Sequence, residues 1–250
     1  MILTAHRGES YIAPENTLTA LQLAWDWGAV SVELDVHMSR DGKIMVSHDG
    51  NTMRTAGVDL EIKDTDSSEL RKLDVGKWKD EKYAGEKMPF LEEALAQIPA
   101  GEARLLLEIK CGVDALPAIR DILDASGKRS QVIPISFGLD VVTESKKMMP
   151  DLETLLIRSC ARDPQTGERV PYGPELIQTA LDANLDGLNL QYHTMTQEYA
   201  DAVRDAGLIL WTWTSNDLEI AKAQIPFGAA RFGTDRRRWM AEQLAGFDVK

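Results

Sequence analysis

Short runs rich in apolar and β-branched residues recur along the chain, and each is followed by a stretch whose apolar positions return every three or four residues. The first pattern is that of strands, the second that of amphipathic helices. Strand-like runs fall at residues 2–6 (ILTAH), 31–36 (SVELDV), 104–109 (RLLLEI), 131–137 (QVIPISF), 154–159 (TLLIRS), 187–192 (GLNLQY), 208–213 (LILWTW) and 230–234 (ARFGT). The helix-period stretches are 17–28, 90–98, 114–126, 139–149, 174–184, 196–206, 216–224 and 237–245. Thr17 and Asn216 precede two of them as N-cap residues, and Gly28 and Gly207 follow others where left-handed backbone ends a helix. Strand-then-helix alternation predicts an α/β fold with a parallel sheet, and eight pairs is the number that closes a (β/α)8 TIM barrel. A doubly wound sheet uses the same alternation, so closure rests on the count.

One run is left over. Residues 43–49 (KIMVSHD) follow the second strand across Asp41-Gly42, a dipeptide that favours a type I′ hairpin. Such a hairpin would return His48 to the rim, close to Glu33 and Asp35. The next stretch, residues 50–89, is polar and broken by Gly57, Gly76 and Gly85, and reads as a small insertion after the second strand, over the barrel mouth. The whole chain, residues 1–250, then reads as a single barrel domain, a normal length for this architecture.

Composition narrows the partners. A formal charge of −12 disfavours nucleic acid and anionic membranes, and the one dense basic run, Arg236-Arg237-Arg238, reads as a solvated helix face. The 2 cysteines, Cys111 and Cys160, fit neither a disulfide framework nor a zinc signature and read as buried free thiols. No apolar run approaches the ~20 residues of a membrane span, and His6, Arg7 and Glu9 interrupt the start where a signal peptide would need continuous apolar sequence. A protein of the cytoplasm without stable membrane insertion is expected.

Glu33 and Asp35 stand two apart on a strand and so project from one face, which the flanking Val32, Leu34 and Val36 predict to be the barrel interior. An isolated pair of this kind can equally face water. Here Glu108 follows Leu105-Leu106-Leu107 at the end of the third strand, with Lys110 two residues on. Three buried carboxylates repel one another unless a cation compensates, and an all-oxygen set suits Mg2+ or Ca2+ better than zinc. Of 4 histidines, His6 and His48 close strand-like runs at the rim where the carboxylates converge, while His37 and His193 read as packing residues. A cation, two cationic side chains (Arg7 and Lys110) and a pair of imidazoles form a site for cleaving a phosphate ester: the charges hold phosphoryl oxygens and the histidines move protons. The Pro14-Glu15-Asn16-Thr17 cluster would turn the chain into the first helix with Asn16 facing the site.

At these residues the sequence resembles the glycerophosphodiester phosphodiesterase family. The pattern runs as AHRGES, APENT, SVELDV..SRDGKIMVSHD, RT.G, MPFLEEAL, LLLEIK, ISF and WTW, over nearly the whole chain. The resemblance implies a β/α-barrel hydrolase that converts small-molecule glycerophosphodiesters to glycerol phosphate and an alcohol. By motif it makes His6 and His48 the acid/base pair, Glu33, Asp35 and Glu108 the metal ligands, Arg7 and Lys110 phosphate binders, and Trp211 a contact for the glycerol or alcohol part; barrel packing is the other reading of that tryptophan. A lysophospholipase D or sphingomyelinase D type enzyme, or a non-catalytic phosphodiester-binding barrel, could use the same scaffold. The insertion is mostly charged and no catalytic element is lost, which favours the soluble diester and an active enzyme. Two departures stand out. Where relatives read W-T-V-N this chain has Trp211-Thr212-Trp213-Thr214, so an amide that could touch substrate is missing. In the final strand Ala230 and Arg231 replace an acidic residue and a glycine, which bears on leaving-group preference and barrel closure.

Overall fold

The computed structural model describes residues 1–247. In chain order the elements are β1 (Ile2–Ala5), α1 (Leu18–Asp26), β2 (Ser31–Met38), β3 (Ile44–Val46), α2 (Met53–Ala56), α3 (Ser67–Leu70), α4 (Leu91–Ala96), β4 (Arg104–Ile109), α5 (Leu116–Ser126), β5 (Val132–Ser136), α6 (Leu139–Met148), β6 (Leu155–Arg158), α7 (Pro174–Asp182), β7 (Gly187–Gln191), α8 (Gln197–Asp205), β8 (Ile209–Trp213), α9 (Leu218–Gln224), β9 (Arg231–Thr234) and α10 (Arg237–Gln243). Eight strands pair in parallel in the ring β1-β2-β4-β5-β6-β7-β8-β9, and β9 returns to β1. The barrel is closed, so the doubly wound alternative is excluded. Closure does not suffer from the unusual last strand: β9 meets β1 over four register pairs, from Ile2↔Arg231 to Ala5↔Thr234.

Pleating sorts the side chains. Val32, Leu34 and Val36 of β2 and Leu105, Leu107 and Ile109 of β4 point outward and are buried with the helices α1, α4 and α5. Their alternates point inward. Leu106 of β4 joins the inward Ile133, Ile135, Leu155, Ile157 and Trp211 of β5, β6 and β8 in a separate apolar layer beneath the mouth. Each fully buried aliphatic side chain contributes about 1.5–3 kcal/mol, so the two-sided burial leaves β2 and β4 little freedom to shift register. A one-residue slip would exchange Glu33, Asp35 and Glu108 with leucines and valines.

The expected hairpin forms: β3 runs antiparallel to β2 with Val36 opposite Val46. Its turn is not type I′. Asp41 keeps a negative φ and only Gly42 is left-handed, at φ 78°; Gly42 N–H donates to Ser39 O and Ser39 N–H to Lys43 O. This is the longer hairpin loop in which a type I turn is followed by one left-handed residue. Residues 50–89 carry α2, α3 and a small core of Ile62, Leu70, Val75 and Met88 on Met45 of β3. They reach the loop after β1 through Lys79 Nζ on Ser10 O (2.7 Å) and Tyr83 OH on Ile12 O (3.0 Å).

Three smaller expectations change. The N-cap of α9 is Asp217, whose carboxylate accepts from Ile220 N, and not Asn216. The basic run at 236–238 is not a simple solvated face: Arg237 is buried and donates to Trp27 O, and Arg236 stacks between Tyr11 and Trp239. Cys160 is buried as expected, but Cys111 is only partly so.

Candidate active site

The carboxyl ends of β1, β2 and β4 converge on one cavity of about 160 Å³ at the barrel mouth, lined among others by His6, Arg7, Glu33, His48, Glu108 and Lys110. Loop chemistry fixes its first wall. After β1 the chain turns sharply through Arg7 (φ 58°) and Gly8 (φ 81°). Gly8 is required, since a Cβ there would sit 2.5 Å from the backbone carbon of Ala20. Arg7 has no such excuse. A non-glycine residue in left-handed backbone costs of order 1–3 kcal/mol and persists only when its surroundings over-determine it. Those surroundings are Glu33 Oε2 on Arg7 N (2.8 Å), Glu15 Oε1 on Nη1 (2.9 Å) and Asp35 Oδ2 near Nε (3.2 Å). Asn16, left-handed at φ 57°, donates to Asp35 Oδ2 (2.8 Å) and accepts from Asp35 N (3.1 Å). It therefore faces the site.

Glu33, Asp35 and Glu108 are all buried and bring one oxygen each within 4.8 Å of one another. Lys110 Nζ lies 2.5 Å from Glu108 Oε1 and 3.2 Å from Asp35 Oδ1. Burial raises the pKa of Glu33, and repulsion from Asp35 and Glu108 carries it to about 8. Glu108 is also raised, by burial and by Asp35, against the pull of Lys110. Asp35 goes the other way: burial opposes its charge, but Arg7 and Lys110 outweigh it. Arg7 and Lys110 thus face three crowded carboxylates, and burial with mutual repulsion pushes Glu33 toward its protonated form. Glu33 Oε1 is buried with no hydrogen-bond partner, and Asp35 Oδ1 has only the ion-pair contact with Lys110. Buried lone pairs without donors are costly, and an all-oxygen set with free lone pairs fits a hard divalent cation.

Each rim histidine has its own carboxylate. His6 Nδ1 lies 2.6 Å from Asp235 Oδ1, and His48 Nδ1 2.6 Å from Asp49 Oδ1. An ionised carboxylate only accepts, so the proton sits on Nδ1 and Nε2 is the nitrogen left for chemistry. The two rings differ in field. Burial works against charge on His6, yet the bond to Asp235 and the charge of Glu33 raise its pKa. His48 is lowered by burial and by Arg7 and Lys110, which prevail over Asp35 and Asp49. His37 donates to His48 O (3.0 Å) and packs there, whereas His193 is exposed and stacks only on the adjacent Tyr192; neither lines the cavity.

The opposite wall is apolar and aromatic. Trp211 is fully buried in the interior layer with Arg231 over its ring at 5.1 Å; Trp213, one pleat nearer the mouth, meets Phe137 edge-on at 5.7 Å. The sequence reading missed Asp49, Asp235 and the role of Asn216. Asn216 donates to Asp235 Oδ2 (2.6 Å) and accepts from Asp235 N (2.8 Å). Asp49 adjoins His48 and was legible in the His-Asp pair; Asp235 lies 229 residues from His6 and needed the closed barrel.

The sequence profile of the Glycerophosphoryl diester phosphodiesterase family matches residues 6–238. A glycerophosphodiester phosphodiesterase of Caldanaerobacter subterraneus subsp. tengcongensis is 32% identical over 238 residues, covering 94% of this chain and 93% of that protein. The structure of an Oleispira antarctica phosphodiesterase in complex with the product sn-glycerol-3-phosphate superposes with a TM-score of 0.87 at 26% identity, over 98% of this chain and 97% of that one. A glycerophosphodiester phosphodiesterase of Thermotoga maritima gives 0.76 at 27% identity, over 97% of each chain. The chain belongs to the glycerophosphoryl diester phosphodiesterase family and is a phosphoric diester hydrolase on a closed (β/α)8 barrel.

Proposed function

We propose that the chain cleaves small, soluble glycerophosphodiesters to glycerol 3-phosphate and an alcohol, with His6 and His48 as the acid/base pair and with Mg2+ or Ca2+ held by Glu33, Asp35 and Glu108. One observation carries this reading: two imidazoles, each fixed by its own carboxylate, flank three buried acidic residues in a single cavity that Arg7 and Lys110 also line. When bound, the divalent cation supplies concentrated positive charge to polarise a phosphoryl oxygen. Arg7 and Lys110 bind the remaining phosphoryl oxygens and hold the diester in line. His48, whose pKa is depressed, takes the proton of the attacking hydroxyl, whether water or the free glycerol hydroxyl. His6, whose pKa is raised, gives a proton from Nε2 to the leaving alcohol oxygen. Trp211, with Trp213 and Phe137 on the same wall, packs on the glycerol or alcohol part.

Size supports a soluble substrate over a lysolipid. A cavity of about 160 Å³ suits a fragment the size of glycerol phosphate. The product held by the Oleispira antarctica neighbour agrees with that size. Residues 50–89 are read as an insertion that borders the mouth, and the two free cysteines suit a reducing, cytoplasmic setting. No helix among the described residues is long and apolar enough to cross a membrane.

Release of glycerol 3-phosphate from glycerophosphocholine, glycerophosphoethanolamine and glycerophosphoinositol tests the proposal. His6→Ala and His48→Ala should each lower kcat by about 10²–10⁴-fold. A full rate in either variant removes that histidine from the mechanism, and activity confined to long-chain lysolipids reverses the substrate choice.

A further inference from the structure

A chain of alternating charges runs along one side of the mouth. From His48 Nδ1 it passes to Asp49 Oδ1 (2.6 Å), and Asp49 Oδ2 accepts from Arg54 Nε (2.6 Å). The two terminal nitrogens of Arg54 donate to Glu15 Oε2 (2.9 Å) and Oε1 (2.7 Å). Glu15 Oε1 also accepts from Arg7 Nη1 (2.9 Å), and Arg7 Nε lies 3.2 Å from Asp35 Oδ2. Arg54 is the central link. It comes from α2, in the segment after the β2–β3 hairpin, which the turn through Thr52 and Val58 fastens in place (Thr52 Oγ1 donates to Val58 O).

The arrangement has a geometric content that a surface ion pair lacks. One planar guanidinium spends three N–H groups on two carboxylates that come from different loops, and each of those carboxylates orients a different group facing the cavity. Asp49 sets which nitrogen of His48 is free. Glu15, only 13% exposed at its side chain, grips the Arg7 guanidinium. Without Arg54 the two carboxylates lose their shared counter-charge, Asp49 can turn from His48, and Glu15 keeps Arg7 as its one cation. Lysine, a point charge on a flexible stem, cannot span both at once.

We propose that Arg54 is a positioning residue for the reaction: it registers the His48 imidazole against the Arg7 phosphate clamp, so that the segment following the hairpin sets their relative geometry. This rests on the reaction proposed above. The side chain of Arg54 is 42% exposed, so a small cation from solution can reach the place it occupies.

The test compares wild type with Arg54→Ala, Arg54→Lys, Asp49→Asn, Glu15→Gln and the doubles Arg54→Ala/Asp49→Asn and Arg54→Ala/Glu15→Gln, reading kcat and KM separately on glycerophosphocholine together with the melting temperature. Wild type must turn over; an inactive wild type defeats the underlying reaction and is distinguishable from failure of the present inference. Arg54→Ala should lose about 10–100-fold in kcat, the range for partners that orient a reacting group, with a melting temperature near that of wild type. Arg54→Lys should recover only a minor part of the loss. Millimolar guanidinium should restore part of the rate to Arg54→Ala and none to Asp49→Asn. Each double should be slower than its slower single by no more than about twofold, because both changes break one network. The inference is overturned if Arg54→Ala keeps kcat and KM within about twofold of wild type, or if its effect multiplies independently with those of Asp49→Asn and Glu15→Gln. Should the alanine variant fail to fold, Arg54→Lys decides: a wild-type kcat there overturns the inference.

Discussion

His6 and His48 are chemically identical side chains that the structure sets apart. Asp235 and Asp49 hold them at the same distance, 2.6 Å, so the difference comes from what else surrounds each ring. At His6 the surrounding carboxylates, Asp235 first, outweigh burial, whereas at His48 burial together with Arg7 and Lys110 prevails over Asp35 and Asp49. Opposite shifts of this kind let two groups of one type serve as acid and base at one pH. Asp235 is itself pulled down to about 2, against its burial, chiefly by the bond to His6. Its charge therefore persists across the working range and keeps His6 protonated to higher pH. Replacing Asp235 with Asn removes that charge, so the pKa of His6 falls. On the proposed roles the acid must be protonated to act, so the alkaline limb of the kcat/KM profile should move to lower pH in Asp235→Asn while the acidic limb, assigned to deprotonation of His48, stays. A profile with an unmoved alkaline limb would deny His6 the role of acid. The same carboxylate contributes stability that is present above its ordinary value near 3.8 and is lost as pH falls toward about 2.

At the scale of elements, two adjacent residues at the start of α9 do different work. Asp217 caps the helix, accepting from Ile220 N at 3.0 Å. Asn216 instead points across to β9 and its end, where Thr234 Oγ1 donates to its side-chain oxygen and its amide braces Asp235. Loss of an N-cap typically costs about 1 kcal/mol, so Asp217→Ala should lower the melting temperature by a few degrees and leave kcat close to wild type. Asn216→Ala should show the reverse emphasis, with a several-fold fall in kcat and an alkaline limb displaced in the direction of Asp235→Asn. Equal effects of both substitutions on kcat would mean that the loop acts as one structural unit and that the brace has no separate function. The last strand makes a related point. Arg231 leaves the four-pair register to β1 intact because its side chain lies within the barrel, over Trp211, and leaves the strand edges untouched.

Across the whole molecule, what the sequence makes legible is what periodicity encodes. Alternation along β2 and β4 places Glu33, Asp35 and Glu108 on the inner face because Val32, Leu34, Leu105 and Leu107 must point out to the helices. Strand ends carry His6, and the return of the hairpin carries His48. Less legible is whatever depends on contacts across the closed ring or on single dihedral angles. Asp235 meets His6 only because β9 closes on β1, and the left-handed turn at Arg7 is held by Glu33 and Asp35 of β2 together with Glu15 of its own loop. The turn at Gly42 and the burial of Arg237 escaped local reading for the same reason: the first depends on the fit of the hairpin, the second on the carbonyl of Trp27 far along the chain. Charge then joins these parts, since Glu33, Asp35 and Glu108 crowd together beside Arg7 and Lys110, and the proposed divalent cation would settle the charge balance among them.

That balance can be measured directly by following glycerol 3-phosphate release from glycerophosphocholine by chelator-treated wild-type protein, with and without added Mg2+ or Ca2+. The expected result is loss of turnover after chelation and recovery on adding one of the two ions, with no recovery in Asp35→Asn. Undiminished turnover in the presence of the chelator would contradict the account.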